Sequence, residues 1–298
     1  MGRRQGLLVG ATALLALGGL ACGVKPPPSQ FPTADAALTR MRDTYACARG
    51  VKGSAKIDRL SAQQGRIRGT VLLFAVAPEL VRFDVVSPFG VTLSTLTSDG
   101  KHFSLSDLRE RKFLEGPASA CNIARLTQVP VPGHALVELM HGEAPVLRHE
   151  PAATSIRWDG GGFYVLDIKS SRDASEVIHL APHQADFGKP FAEQRVRVLD
   201  VRVRQQGFEL YHAELRDHQA TEMSGPLLDE DGIDPPVPPS GPVCNVEVPR
   251  RLHVEVPGSE DDVLFRYDDL KLNPPLLDDL FTQPVPGGVQ VVNVGACE

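Results

Sequence analysis

The sequence is short of aromatic side chains, 6% of 298 residues with a single tryptophan, and has no positive excess, its formal net charge being −6. A nucleic-acid surface needs a basic stripe interleaved with stacking rings, so that class of partner is not expected. There is no Cys-x-x-Cys pair, and the cysteines lie far too widely spaced for a zinc knuckle or finger. There is no Gly-x-Ser-x-Gly elbow, and Gly160-Gly161-Gly162 lacks the Lys-Ser/Thr that completes a phosphate cradle. Beyond the first two dozen residues no apolar run approaches the roughly 20 residues that span a bilayer as a helix. No repeat of fixed period is visible. Nothing in this inventory argues for an enzyme, a metal or a cofactor.

Three residue groups hint at chemistry and are outweighed by plainer readings. His179 and His183 are four apart, but Pro182 separates them and the preceding residues read as strand, so they are expected as loop histidines. Asp229, Asp231, Gly232 and Asp234 suggest a calcium loop, yet the glycine comes too early and Ser240 stands where the bidentate Glu belongs. Arg195, Arg197, Arg202 and Arg204 form a basic stripe, read as a solvated strand face rather than a headgroup site.

What is present begins at the N-terminus. Arg3 and Arg4 precede an uncharged Leu/Ala/Gly/Val run from Leu7 to Leu20, which suits the h-region of an export signal over residues 1–21. The run ends Gly19-Leu20-Ala21-Cys22, which resembles the lipobox of bacterial lipoproteins, although Gly19 stands where Leu is usual. The resemblance implies that Cys22 is acylated with palmitate-type chains and becomes the mature N-terminus. Several chains make the attachment durable, since each buried methylene contributes about 0.8 kcal/mol. Gly23 follows, not the Asp that resembles an inner-membrane retention signal, so the outer membrane is the expected location, facing the periplasm. Residues 22–33, with Pro26, Pro27, Pro28 and Pro32, read as a stiff extended tether.

Four cysteines remain, Cys47, Cys121, Cys244 and Cys297, an even number suggesting two disulfides in an exported chain. Three pairings are possible. The expected one is Cys47–Cys121 with Cys244–Cys297.

Residues 34–298 read as one mainly β domain with a few short helices. Thr33-Ala34-Asp35 opens a helix to about Ala48, with Ala37, Leu38, Met41 and Tyr45 at helical spacing. Val51 to Asp58 alternates as a half-buried strand. Strands follow at 66–77, 80–86, 91–97, 103–105 and 111–114, with a tight Asp99-Gly100 turn. Two short helices are expected at 118–126 and 134–141, parted by Pro130 and Pro132. Strands resume at 155–158, 163–168 and 177–180. From Val196 to Val203 the apolar phase slips by one residue near Val198, predicting a β-bulge that bends the sheet. Another strand covers 208–215. Gly225 to Pro242 is predicted as a long mobile Pro-rich loop, and the last strands as 243–248, 252–256 and 263–272. Hairpin-linked strands imply an antiparallel meander, here a strongly curved sheet or unclosed β-barrel with helices covering its concave face.

Three stretches of this sequence resemble the LolA/LolB superfamily, in particular outer-membrane lipoproteins of the LolB-like type. The first is the order of signal, lipid cysteine, amphipathic helix and Gly53-Ser54-Ala55. The second is Leu80-Val81-Arg82-Phe83-Asp84 followed by Ser87-Pro88-Phe89-Gly90, similar to the Asn-Pro-Leu-Gly hairpin of LolB. The third is Leu272-Asn273-Pro274-Pro275-Leu276 with Leu280-Phe281 and Pro286. The likeness is good over 35–145 and the tail, and poor over 151–242. It implies an apolar cavity under a helical lid that accepts acyl chains or lipoproteins, as a receptor, chaperone or lipid carrier without enzymatic activity. It implies a membrane-insertion hairpin, Pro88, Phe89 and Gly90, and a LolA-like periplasmic carrier as donor to a monomer. Leu73, Phe83, Val85, Leu93 and Trp158 are the candidate cavity or core positions. The extra length, the Pro-rich loop and the four cysteines depart from the family and favour a second reading: a scaffolding envelope lipoprotein with a filled interior that binds proteins through its Pro-rich loop.

Overall fold

The computed structural model describes residues 23–61, 65–127, 129–229 and 231–296. The signal segment 1–21, Cys22 and Cys297 lie outside them.

Among the described residues the fold is one large, curved, unclosed sheet with three α-helices. Its strands are β1 (Gly50–Ser61), β2 (Gly65–Val76), β3 (Leu80–Val86), β4 (Thr92–Ser98), β5 (His102–Asp107) and β6 (Lys112–Pro117), then β7 (His149–Asp159), β8 (Phe163–Ser170), β9 (Ala174–Pro182), β10 (Val196–Gln205), β11 (Phe208–Ala220), β12 (Glu222–Met223), β13 (Glu247–Val256), β14 (Asp261–Leu272) and β15 (Gln290–Asn293). The spatial order is β15-β6-β5-β4-β3-β2-β1-β14-β13-β11-β10-β9-β8-β7, with β12 beside β14. Pairing is antiparallel except at β15–β6 and β12–β14. The two meanders therefore join where β14 returns to lie beside β1 along its length.

The alternating sequence explains the two faces. On the inner face Leu73, Phe83, Leu96 and Leu105 stand directly opposite one another across β2 to β5, a continuous apolar row. The predicted slip near Val198 is present as a register shift between Val198 and Asp200 against β9. A second shift interrupts β1 at Ser54/Ala55. Gly53 beside it has no alternative, because a Cβ there would sit 1.8 Å from the Asp269 carbonyl oxygen.

Helix α1 (Ala34–Tyr45) begins where Thr33 Oγ1 accepts from the Ala36 N–H at 3.1 Å. It packs on β7 and β10; α2 (Ala120–Thr127) lies on β4 and β5; α3 (Gly133–His141) crosses β1, β2, β3 and β13. Each turns an apolar stripe to the sheet: Leu38, Met41 and Tyr45, then Ile123, then Leu136, Leu139 and Met140.

Several expectations are corrected. Cys47 pairs with Cys244, not with Cys121, across 197 residues. The reason is a corner built around Asn273, whose Nδ2 donates to both the Cys47 and the Pro242 carbonyls and so draws the two segments together. Cys121 is disulfide-bonded as well, while Cys244–Cys297 is excluded by the Cys47–Cys244 bond. Residues 243–246 are held at that corner and are not strand; the two strands expected over 243–256 are the single β13. Strand β15 was not foreseen. The Pro-rich loop is tied at its ends rather than free, through paired backbone at Leu227 and Val237 and through Ser240, whose N–H lies 3.3 Å from the Asn273 and Pro274 carbonyls.

The Pro-rich tether is docked too. The Val24 N–H donates to the Gly160 carbonyl at 2.8 Å, and Trp158 Nε1 donates to the Val24 carbonyl at 2.9 Å. The Phe191 N–H donates to Ser29 Oγ, and Phe31 is buried edge-on against Tyr164 and Phe191. Residues 24–31 form a strap along β7 and β8, not a spacer.

Candidate functional site

In an antiparallel sheet alternate turns lie at the same end. The β3–β4 hairpin shares one end with the turns β1–β2, β5–β6, β8–β9, β10–β11 and β13–β14, while the β7–β8 turn lies at the other. Pro88-Phe89-Gly90 forms the hairpin apex. The Ser87 N–H donates to the Val91 carbonyl at 2.8 Å and the Gly90 N–H to the Ser87 carbonyl at 2.9 Å, with Gly90 at φ +79°. Ser87 Oγ further accepts from the Val91 N–H at 3.1 Å. So small and tightly bonded a turn leaves its middle side chain no core to fold into, and Phe89 is 92% exposed.

The hairpin has company. Strand β3 ends opposite Thr70, so Arg66, Ile67 and Arg68 of β2 run on beside the apex. On its other flank the β5–β6 turn carries exposed Leu108, Arg109 and Arg111, and the Leu108 N–H donates to the Leu93 carbonyl. Val91 is exposed as well, and at the same end so is Phe208, at the start of β11. The apex is therefore an apolar tip with arginines on both flanks, among which Glu110 pairs with Lys112. On the β2 flank Asp58 accepts from both Arg66 and Arg68, and the Arg66 guanidinium holds its carboxyl down at about 2.

The candidate cavity or core positions do not line a common cavity among the described residues. Leu73 and Phe83 are buried in the apolar row, and Val85 and Trp158 pack against the core from partly exposed positions. Leu93 is half-buried, and Trp158 clamps the strap. Leu38, Met41, Leu73, Leu96, Ile123 and Leu136 between helices and sheet have almost no accessible surface. A water-sized hollow beside them would leave such surface on its lining, so the helix–sheet interface is closely filled at these positions. An open groove of about 440 Å³ lies on the opposite face, between β4–β6 and the tail. There Gln283 Nε2 donates to the Thr95 and Ser104 carbonyls, each at 3.1 Å.

The interior also holds acid, which sequence reading missed. Glu176 shares the inward phase of Ile178 and Leu180 and is 1% exposed. Its Oε2 accepts from the Leu147 N–H at 2.9 Å, while Oε1 has no partner among the described residues. Burial raises its pKa to about 8. Glu138 on α3 and Glu143 just beyond it are raised to about 7, again by burial, with Arg42 of α1 the cation that opposes the shift. The period-two phase of β9 was the available signal.

The hinted chemistry resolves into structure. His179 lies in β9, stacked on Phe163 at 4.7 Å, and His183 bonds to Glu247 at 2.9 Å, so the two do not converge. The arginine stripe is ion-paired, Arg195 to Asp186 and Arg204 to Glu209. Asp229 Oδ2 accepts from the Ile233 and Asp234 N–H groups, which shapes its own loop.

The geometry defines the class: an unclosed antiparallel sheet, its concave face covered by helices, with an exposed apolar hairpin at one end. No protein-family model matches the sequence, and comparison with curated proteins gave no match. Similar solved structures include a LolA superfamily protein from Nitrosomonas europaea, at 14% identity and TM-score 0.49, covering 84% of this chain and 98% of that one. Another is an outer membrane lipoprotein-sorting protein domain from Vibrio parahaemolyticus, at 10% and 0.45, covering 82% and 95%. A DUF1329 family protein from Desulfovibrio piger is similar at 9% and 0.49, covering 84% and 95%. The superfamily that the sequence resembles is thus represented among them. At such identities and scores the likeness carries no statement about activity or site residues. Among the described residues no helix is long and apolar enough to cross a membrane.

Proposed function

We propose that this chain is an outer-membrane lipoprotein, acylated at Cys22, that handles acyl chains or lipoproteins without covalent chemistry and meets lipid through Phe89. The observation that carries this reading is Phe89 itself, 92% exposed at a tight apex with arginines on both flanks. A lone exposed apolar side chain says little, but one flanked by Val91, Leu108 and Ile67, with an excess of arginine on either side, suits an anionic lipid surface. Insertion of such a side chain yields roughly 1.5–3 kcal/mol, enough to bias an encounter and weak enough to reverse. A LolA-like periplasmic carrier is the proposed donor, and a single chain the working unit.

The strap sets a condition. Val24 is bonded at the β7–β8 turn, the end opposite Phe89, so an acyl group on Cys22 holds that turn at the bilayer. For Phe89 to reach the same leaflet, residues 23–33 must leave their bed. Extended at about 3.1 Å per residue they then reach about 34 Å, comparable to the roughly 33 Å of the ten-residue β10. While the strap is docked, Phe89 faces away from the anchored leaflet, toward an incoming carrier.

Phe89→Glu is the direct test. Its expected result is unchanged urea unfolding, within about 0.5 kcal/mol as for ordinary surface changes, and loss of most binding to anionic liposomes. A large loss of stability would instead mark Phe89 as part of the packing, and unchanged liposome binding would remove it from function.

The filled helix–sheet interface favours a second reading, the scaffold whose Pro-rich loop, 225–242, contacts protein. Acyl uptake requires α2 and α3 to part from the sheet; scaffolding does not. Native mass spectrometry separates the two: lipid adducts on the purified chain support carriage, and an adduct-free chain supports the scaffold.

A further inference from the structure

The outer face of the sheet carries a ladder of histidines and carboxylates that neither reading uses. Asp200 on β10, His212 and Glu214 on β11, His253 and Glu255 on β13 and Asp262 on β14 all point away from the core, in antiphase to Val201, Ala213, Val254 and Val263. The registers set them face to face: Asp200 opposite Glu214, Glu214 opposite His253, His212 opposite Glu255, and Glu255 opposite Asp262. Two of those four pairs are carboxylate on carboxylate, an arrangement that costs stability unless a cation sits between them.

We propose that this ladder is a binding site for a divalent transition-metal ion of the zinc class. Asp200, His212 and Glu214 each offer one ligand atom, all within 4.8 Å of one another, and so do His253, Glu255 and Asp262. Two carboxylates and one imidazole is a donor set that borderline metals take, with a fourth, open position for water. The two groups adjoin: His212 Nδ1 lies 3.4 Å from Glu255 Oε2, and His253 Nδ1 lies 3.9 Å from Glu214 Oε2. The inner group is the firmer one, with the Asp200 and His212 side chains only 10% and 11% exposed and already joined through His212 Nε2 and Asp200 Oδ2 at 2.5 Å. The outer group is open to solvent and gives the ion its approach.

Two arginines border the site and have carboxylate partners of their own. Arg216 Nη2 takes Glu214 Oε1 at 3.1 Å, so Oε2 stays on the histidine side. Arg202 comes within 3.5 Å of the His212 ring and has Glu209 as its carboxylate partner. Strands rather than loops carry every ligand, so the donors are held in place before the ion arrives.

The test is uptake of zinc by the full chain in detergent, with Zn²⁺ alone as probe. The expected result is at least one equivalent retained through gel filtration, stripped by a chelator, and not displaced by a tenfold excess of Mg²⁺. The paired change His212→Ala and His253→Ala is expected to lower affinity at least tenfold with an unchanged far-UV spectrum, whereas His102→Ala, at the exposed start of distant β5, leaves it unaltered. If the double variant does not fold, Glu255→Gln, an exposed side chain, is expected to weaken binding instead. Failure of the wild-type chain to retain zinc, displacement by Mg²⁺, or wild-type affinity in a folded double variant or in Glu255→Gln would overturn the proposal.

Discussion

Asn273→Ala is expected to destabilise the domain by about 4 kcal/mol, seen as a lower urea midpoint at unchanged slope. Asn273 is fully buried just after β14 at φ +51°, a left-handed position that Asn tolerates and Ala adopts less readily. Its Oδ1 accepts from the Arg49 N–H at 2.7 Å and the Gly50 N–H at 3.3 Å. Its Nδ2 donates to the Cys47 carbonyl at 2.9 Å and the Pro242 carbonyl at 2.8 Å. One side chain thereby ties the end of the first helix, the start of β1, the end of β14 and the end of the Pro-rich loop. Truncation orphans two donors and two acceptors, at about 1 kcal/mol each. Asn273→Asp discriminates further: it keeps the acceptor but sets an oxygen against two carbonyls, so it is expected to cost as much as alanine. A loss below about 1 kcal/mol for both would mean that the Cys47–Cys244 bond, worth about 5 kcal/mol on the chain-entropy model, holds the corner alone.

That corner also marks where sequence reading stops. Alternation gave β3 to the residue, the three helices within a turn, and the bulge near Val198, because each is written in a local period. The apex at Phe89 was legible because Pro88 and Gly90 shape a turn too small to bury its middle. Cysteine pairing was not, since nothing near Cys47 reports that Asn273, far along the chain, gathers it beside Cys244. Strand β15 was missed because Gln290-Val291-Val292-Asn293 is short, carries no alternation and pairs in parallel with β6. Period shows which side of a strand faces inward, but not whether helices fill the space it faces, so the expected hollow and the observed packing were indistinguishable. The His/carboxylate ladder becomes visible only when register sets residues of four strands side by side.

Lowering the pH from 8 to 6 is expected to stabilise this protein, against the usual trend for a chain rich in ion-paired carboxylates. Glu176 is the reason. Its folded pKa of about 8 lies above the ordinary glutamate value of 4.5, so near neutrality the folded state keeps a proton that the unfolded state has released. Its contribution is complete below about pH 4.5 and is lost as pH rises through 8, at most about 5 kcal/mol at 1.36 kcal/mol per unit. Glu138 and Glu143, raised to about 7, add to the same slope, although both keep some contact with solvent and with Arg42. The buried histidines act in the opposite sense. His141, held neutral against the Ala75 carbonyl, and His218 are both depressed to about 4, so each loses stability as pH falls below 6.5. The stabilising window is therefore pH 8 down to about 6, where proton uptake by the carboxylates outweighs the loss that the histidines begin to add below 6.5. Urea unfolding at the two pH values measures it, and Glu176→Gln, which keeps an acceptor for the Leu147 N–H without a titrating group, is expected to flatten most of the difference. Equal stability of the wild-type chain at pH 6 and pH 8 would show that Glu176 is solvated rather than sealed. Because Glu138 rides on α3, the same titration weakens the hold of that helix on the sheet as pH rises, so any uptake of acyl chains beneath it is expected to be faster at pH 8 than at pH 6.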